Sequence, residues 1–160
     1  LEIALRNSVH NRAADQHGGE WFRAGAAILQ HPATEMVEKA ERILKDDGKD
    51  LVPGRIVAEL NFGFWVTTLS SKYENTLWRP CTRLAFPHRP RGTERKQVHG
   101  ALNAVRRLRN RIAHHEPILQ RNLKSDYLTI MKILGWICPD SSTWVHEHSR
   151  TSAVLTEYQF

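Results

Sequence analysis

The sequence predicts an all-α fold, a helical bundle of about six helices. Apolar residues recur at spacings of three and four in several segments, and no segment alternates apolar and polar residues over a convincing length. The chain has 160 residues, of which 41% are hydrophobic, enough for one domain with a buried core. We therefore expect a single helical domain over residues 1–160, with no internal repeat.

Three helices are predicted in the first half of the chain. The first covers residues 1–13, and the second runs from Thr34, whose hydroxyl can cap it, to Leu44. The third opens at Pro53 and extends to Leu69. Because its aromatic residues make it apolar nearly all round, we expect it at the centre of the core.

Three further helices are predicted in the second half. Before them, prolines restrict residues 72–92 to a short helical piece and a basic loop. The next helix is predicted to begin at Thr93 as N-cap and to end or bend near His114, because Pro117 disfavours helical dihedral angles just before it. The last two helices are expected over 123–137 and 142–158.

Composition narrows the class of protein. No apolar run approaches the roughly 18 residues that cross a bilayer, and no secretory signal is visible. Cys81 and Cys138 stand in unrelated contexts without a CxxC pair, which predicts reduced thiols in a cytoplasmic protein, without a zinc site. The chain begins at Leu1, already inside a helical pattern, which leaves open that upstream N-terminal helices are missing.

The charge distribution points to a polyanionic partner. The net charge is +6, and ten Lys and Arg residues lie between residues 79 and 111, with Glu94 as the only acid. A solvated helix face would give the same pattern. We interpret five of these side chains as RNA-binding candidates: Arg95, Lys96, Arg106, Arg107 and Arg111.

The helix that precedes Pro117 carries the candidate chemistry. A helical wheel places four polar residues on one face beside the apolar stripe: Asn103, Arg106, Asn110 and His114. Arg109 precedes His114 by five residues, an offset that an ideal helix does not place on one face. A helix that bends before the proline would bring the imidazole back towards the guanidinium.

Phosphodiester transfer would use these residue types. It needs a group that handles protons near neutral pH, which suits His114, and a fixed cation that offsets charge growing on the phosphate oxygens, which suits Arg109. Asn110 could orient either partner by hydrogen bonding.

The same residues resemble a known motif. The string RNRIAHHEP, residues 109–117, is similar to the Arg-x(4–6)-His motif of HEPN ribonucleases, including the polar residue that directly follows the arginine. Two further strings, LEIALRNSVHNR at the start and GRIVAELNFGFWVTTL in the middle, resemble the Abi-like branch linked to abortive infection. The three segments follow the order of that family and extend from residue 1 to about 119.

This resemblance implies a HEPN-like bundle that cleaves RNA without a metal or other cofactor. In that reaction the ribose 2'-hydroxyl attacks the neighbouring phosphate and leaves a cyclic phosphate and a 5'-hydroxyl. The implied catalytic residues are Arg109, Asn110 and His114; His115 also satisfies the spacing, so which histidine faces the site stays open. HEPN sites generally form where two copies meet, so a homodimer is implied.

Several alternatives stand beside this interpretation. A helix with Arg6-Asn7 and His10 has a different spacing; we interpret it as a support of the site, with direct involvement of Arg6 as the alternative. The structural alternative for His114 is a helix-end histidine that the helix dipole favours. Adjacent histidines point about 100° apart, and no HExxH pattern accompanies them, so no metal site is predicted.

Two functions therefore remain in view. The first is an endoribonuclease that acts as a toxin or phage-defence effector, and the second is a non-catalytic HEPN module that binds RNA or protein. The basic side chains would also suit an antitoxin, whether acidic protein or RNA. The large aromatic side chains are interpreted as core residues in preference to base-stacking platforms: Phe62, Phe64, Trp65, Trp78 and Trp136.

Overall fold

A computed structural model describes residues 1–157, and within that range it contains helices and no β-strand. The predicted all-α class is therefore confirmed. Eight α-helices take the place of the six expected, because two predicted helices are each divided. Their bounds are α1 Glu2–His17, α2 Ala33–Asp46, α3 Pro53–Glu59, α4 Phe62–Thr67, α5 Arg95–Ala113, α6 Leu123–Ile137, α7 Pro139–His148 and α8 Thr151–Glu157.

The helices fall into two compact units. The N-terminal unit comprises Glu2–Ala85, and the C-terminal unit comprises Leu1 together with residues 86–157. The organisation of residues 1–160 as one domain stays a prediction. Tyr158, the predicted end of the last helix, lies outside the described residues. Along the described chain, no helix is long and apolar enough to cross a bilayer.

An aromatic cluster forms much of the core of the N-terminal unit. Trp21, Phe64 and Trp65 are at most 1% exposed. The rings of Phe64 and Trp65 meet edge to face, with centroids 4.9 Å apart and planes at 88°, an arrangement that aromatic quadrupoles favour. The expectation that the aromatic residues of the middle segment lie in the core is confirmed.

The long helix predicted from Pro53 to Leu69 is divided at Leu60. Leu60 and Asn61 adopt extended backbone, and Asn61 starts α4 as its N-cap, with its Oδ1 accepting the Phe64 N–H at 3.1 Å. The cap also restricts the next turn. A Cβ on Gly63 would lie 3.0 Å from the same Oδ1, so any larger residue would press on the capping oxygen. The expected cap at Thr34 is wrong as well, because α2 begins at Ala33 without a side-chain cap.

The start of α5 differs from the sequence prediction by one residue. Glu94 is its N-cap and forms a capping box with Gln97, in which the Glu94 N–H donates to Gln97 Oε1 at 2.8 Å. The expected cap, Thr93, has another partner: its Oγ1 donates to the Pro90 carbonyl at 2.7 Å. Thr93 therefore closes the preceding turn instead of capping the helix.

Helices α5 and α6 pack against each other in the C-terminal unit. The apolar stripe of α5 is buried at Val98, Leu102, Val105 and Leu108. The bounds of α6 agree with the prediction. The helix expected over 142–158 is divided: α7 ends at His148, and extended backbone at Ser149, whose Oγ accepts the Thr151 N–H at 3.2 Å, starts α8.

Candidate functional site

The C-terminal end of α5 holds the histidines of the predicted motif. Regular α-helical bonding reaches the His114 N–H, which donates to the Asn110 carbonyl at 2.9 Å. The His115 N–H then donates to Ile112 at 3.1 Å, and the Glu116 N–H donates to Arg111 at 2.8 Å. These last two bonds are the pair that defines a Schellman helix end. The main chain therefore fixes both histidines, and both side chains are exposed.

His115 occupies the left-handed position of this helix end. Its φ is +55°, and it is the only residue other than glycine with positive φ among residues 1–157. Glycine is the usual residue at this position, and a residue with a Cβ is disfavoured there by on the order of 1 kcal/mol. Backbone strain of this kind concentrates at functional sites, which is consistent with a role for this helix end.

An ion pair spans the same helix end. Arg111 Nε lies 3.3 Å from Glu116 Oε2, between the two residues that the last backbone bond joins. The Nε–H makes no hydrogen bond in this geometry, so the contact is electrostatic. The charge of Arg111 is thus partly offset before any ligand arrives.

A polar face follows α5 towards His114. Asn103 Nδ2 donates to His99 Nε2 at 3.0 Å, and His99 is half-buried. Burial lowers the pKa of His99 from its ordinary value of 6.5, and the charges of Arg95 and Arg106 lower it further. A neutral imidazole at this position can accept the Asn103 amide proton. Helical spacing continues the same face through Asn110.

His99 is a member of this face that the sequence analysis did not single out. The signal was present in the sequence: His99, Asn103 and Arg106 follow at spacings of four and three before the motif. Two predicted RNA-binding residues, Arg95 and Arg106, influence this imidazole and are themselves half-buried. They belong to a polar network as well as to the charged surface.

Arg109 and His114 leave α5 in different directions. Because α-helical bonding continues through His114, their offset of five residues separates the side-chain directions by about 140° and their positions along the axis by about 7.5 Å. The bend expected between them is not found, since α5 continues unbroken to Ala113 and His114 is its C-cap. Arg109 is exposed and lies on another side of the helix.

The other predicted basic residues form a line. Lys96, Arg107 and Arg111 share one face of α5, which passes Gly100 and ends at His114, as the helical repeat requires. Lys96 and Arg107 are exposed. This line of cations, referred to below as the basic face, leads directly to the helix end.

The N-terminal counterpart of the motif has a different environment. Arg6, on α1, donates from Nε to Asn7 Oδ1 at 3.2 Å. His10 Nδ1 accepts the Trp21 indole N–H at 3.2 Å, and its ring centroid lies 6.5 Å from that of Trp65. Burial lowers the pKa of His10. These contacts give His10 a packing role in the N-terminal unit, and the suggested support of the site by Arg6 stays a prediction.

Apolar surface adjoins the helix end. Ile112 is 53% exposed and Leu119 is 67% exposed. A cavity of about 440 Å³ lies beside them, lined mainly by apolar side chains of the C-terminal unit that include Leu108, Ile118 and Leu123. Apolar side chains that lie together on a surface are often found where another molecule binds.

The arrangement can exchange protons and bind anions. An exposed imidazole ends a line of cations, and a carboxamide, Asn110, lies one helical turn away. Within residues 1–157, no three His, Cys, Asp or Glu residues are grouped in a way that could hold a metal ion. No protein-family model, curated protein or solved structure matches the chain.

Proposed function

We propose that this protein is a metal-independent endoribonuclease of the HEPN, Abi-like type, which acts on RNA in the cytoplasm as a toxin or phage-defence effector. The observation that carries the proposal is the end of α5. There, main-chain hydrogen bonds fix an exposed His114 at the end of the basic face. An imidazole on a fixed main chain, beside anion-binding side chains, suits phosphodiester cleavage.

The reaction requires no external oxidant or cofactor. The ribose 2'-oxygen forms a bond to phosphorus, the bond from phosphorus to the 5'-oxygen breaks, and a proton moves from the 2'-hydroxyl to the departing 5'-oxygen. His114 handles the proton, and Arg109 offsets the charge on the phosphate oxygens. Asn110 orients the attacking group by hydrogen bonding.

A homodimer would complete the site. Because Arg109 and His114 point about 140° apart on one helix, the two side chains can face one phosphate most directly when they come from different protomers. The exposed Ile112 and Leu119 beside His114 offer apolar surface on which a second copy could pack. The active unit proposed here therefore combines His114 of one protomer with Arg109 of its partner.

Mixing two inactive variants tests this proposal. Arg109→Ala and His114→Ala should each abolish RNA cleavage. His114→Ala should leave the melting temperature nearly unchanged, because its side chain is exposed. After subunit exchange, half of the dimers are mixed and each holds one intact site, so cleavage should return to roughly a quarter of the wild-type level. A mixture as inactive as its parents would overturn the shared site, and single variants as active as the wild type would overturn the assignment of Arg109 and His114 as catalytic residues.

Two controls separate this enzyme from other classes. A chelator should leave cleavage unchanged, because no metal supplies the nucleophile. The products should carry a cyclic phosphate and a 5'-hydroxyl, and products with a 5'-phosphate would exclude attack by the 2'-hydroxyl.

The second candidate is a non-catalytic module that binds RNA or protein. The divergence of Arg109 and His114 within one chain favours it, since a single protomer that never dimerises would lack a complete site. In that case RNA or an antitoxin would bind along the basic face, and neither the wild type nor the two alanine variants would cleave RNA. Binding without cleavage by the wild-type dimer would support this candidate.

A further inference from the structure

An open groove lies between the first half of α5 and the second half of α6. Its volume is about 720 Å³, within the range of sites that hold small ligands or single nucleotides. All of its walls belong to the C-terminal unit. The lining residues are Pro90, Arg91, Gly92, Thr93, Lys96, Gln97, Gly100, Ala101, Ala104, Thr129, Lys132 and Trp136.

The charge of the groove has one sign. Arg91, Lys96 and Lys132 line it, and no Asp or Glu is among the lining residues. Cations placed around one concave space attract an anion more strongly than cations spread over a convex surface, because low-dielectric walls focus their field. The groove therefore favours a ligand with negative charge.

Trp136 gives the groove an aromatic wall. Lys132 Nζ lies over the Trp136 ring, 5.4 Å from its centroid, so the ammonium and the indole face are in cation–π contact. A base that stacks on this face would take the place of the ammonium, which would move aside towards the phosphate. The spacing of Trp136 predicts a core residue, but its side chain is only partly buried and lines the groove. A flat aromatic surface next to cations is suited to a nucleobase linked to a phosphate.

Hydrogen bonds hold the rim of the groove in place. The His88 N–H donates to the Trp136 carbonyl at 3.0 Å, which joins the loop after Phe86 to the end of α6. Thr93 closes the turn at Pro90, and Gly92 supplies the φ of +81° that this turn needs. The groove is thus formed before any ligand binds.

Small residues form the floor. Gly100, Ala101 and Ala104 of α5 lie between the cationic walls. A Cβ built on Gly100 would meet nothing within 4 Å, so the space above this glycine is empty of protein. A longer side chain at residue 100 would extend into the groove without displacing its neighbours.

We propose that this groove binds one nucleotide of single-stranded RNA, with the base stacked on Trp136 and the phosphates held by Lys96, Lys132 and Arg91. Only an unpaired base can leave its own stack to lie on an indole, which favours a single strand over a duplex. The basic face continues from Lys96 past Gly100 to His114 on the same side of α5. As a substrate subsite, remote from the bond that is cut, the groove rests on the proposed nuclease function.

Binding measurements on the full chain test the subsite directly. The protein carries His114→Ala so that a labelled single-stranded RNA oligonucleotide stays intact. Trp136→Ala should weaken binding by about tenfold or more, because stacking on the indole is lost. Gly100→Gln should weaken it similarly by filling the groove with a residue of high helix propensity.

Matched controls lie outside the groove. Trp144 lies on α7 and is 61% exposed. Trp144→Ala therefore serves as the control for the loss of an indole outside the groove. Gly100→Ala adds a methyl group but leaves most of the groove open. Both controls should bind RNA as the parent protein does. Equal affinity of Trp136→Ala, Gly100→Gln and the parent would overturn the proposal.

Competitors identify the ligand. Adenosine monophosphate and polyglutamate should each displace the strand poorly, and duplex RNA should bind without any dependence on Trp136. Strong displacement by the mononucleotide would identify a free nucleotide as the ligand of the groove. Strong displacement by polyglutamate would identify an acidic protein as the ligand. Either result overturns the proposal.

The salt dependence gives a second measurement. Lys132→Ala should lower the slope of log affinity against log salt by roughly 0.7, because one phosphate contact in a single strand is removed. Lys124→Ala, at the exposed other end of α6, should leave the slope unchanged. The same slope in both lysine variants would exclude Lys132 as a phosphate contact.

The failure of the subsite can be told apart from the failure of the nuclease. If RNA is cleaved by a His114-dependent reaction and the groove variants bind normally, the subsite is wrong and the nuclease stands. If RNA binds in the groove and no cleavage depends on His114, the nuclease is wrong and the binding site stands.

Discussion

In two Arg-Asn pairs of the chain a histidine follows within five residues of the arginine, and the two have different surroundings. In the N-terminal unit, His10 lies in the middle of α1, accepts the Trp21 indole proton and packs among aromatic rings. In the C-terminal unit, His114 caps the end of α5 and is exposed. The comparison shows that position within the helix, more than the residue types, separates a packing histidine from one that is available for chemistry.

Alanine at each histidine should produce opposite results. His114→Ala should reduce RNA cleavage by about 10²- to 10⁴-fold, the contribution usual for a lost acid–base group, with little change in stability. His10→Ala should instead lower the free energy of unfolding by about 1–3 kcal/mol, because the Trp21 N–H loses its acceptor. Cleavage assays and denaturant titrations measure both. A stable His10→Ala protein, or an unstable His114→Ala protein, would break the comparison.

Glycine at His115 sharpens the comparison within the motif itself. The left-handed φ of +55° suits glycine better, so His115→Gly should raise the free energy of unfolding by on the order of 1 kcal/mol and leave cleavage unchanged. His115→Ala is the control, which removes the imidazole without relieving the backbone. If His115→Gly and His115→Ala both lost cleavage while His114→Ala stayed active, His115 and not His114 would be the catalytic histidine.

The pH dependence of stability should reflect the buried histidines. The pKa of His10 is lowered by burial from 6.5, and that of His99 is lowered by burial and by two arginines. As the pH falls below 6.5, these two histidines therefore bind protons more readily in the unfolded chain than in the folded chain. The free energy of unfolding is highest above this pH and decreases as the pH falls.

Thermal melting between about pH 7 and pH 5, where most carboxylates stay ionised, should show this loss. His10→Gln and His99→Gln should each make the melting temperature less dependent on pH. If the melting temperature of both glutamine variants changed with pH as much as that of the wild type, the two histidines would not be the cause of the pH dependence.

Much of the fold followed from the sequence because periodicity reports which face of a helix is buried. The bounds of α6 were predicted correctly for this reason. Of the predicted apolar stripe of α5, Val98, Leu102, Val105 and Leu108 are buried, but Ile112, which the helical spacing also placed against the core, is 53% exposed. The division at Leu60 was missed because the apolar pattern continues across it, and the division at Ser149 was missed because no glycine or proline marks it. There, local side-chain hydrogen bonds from Asn61 and Ser149 start a new helix.

The site was predictable in part. The sequence located a helix end at His114, because Pro117 forbids its continuation, but it suggested a bend before the histidine where the structure has a Schellman end after it. The groove at Trp136 was not predicted. It depends on contacts between α5, α6 and the loop at Pro90, which are far apart in sequence and carry no shared spacing.

One uninterrupted helix, α5, carries both the floor of the groove and His114. Ten residues separate Ala104 from His114, a distance of about 15 Å along the axis at 1.5 Å per residue. If both proposals hold, the helix acts as a molecular ruler. Oligonucleotides too short to span this distance would be poor substrates, and longer ones would be cut at a constant number of nucleotides from the base that rests on Trp136.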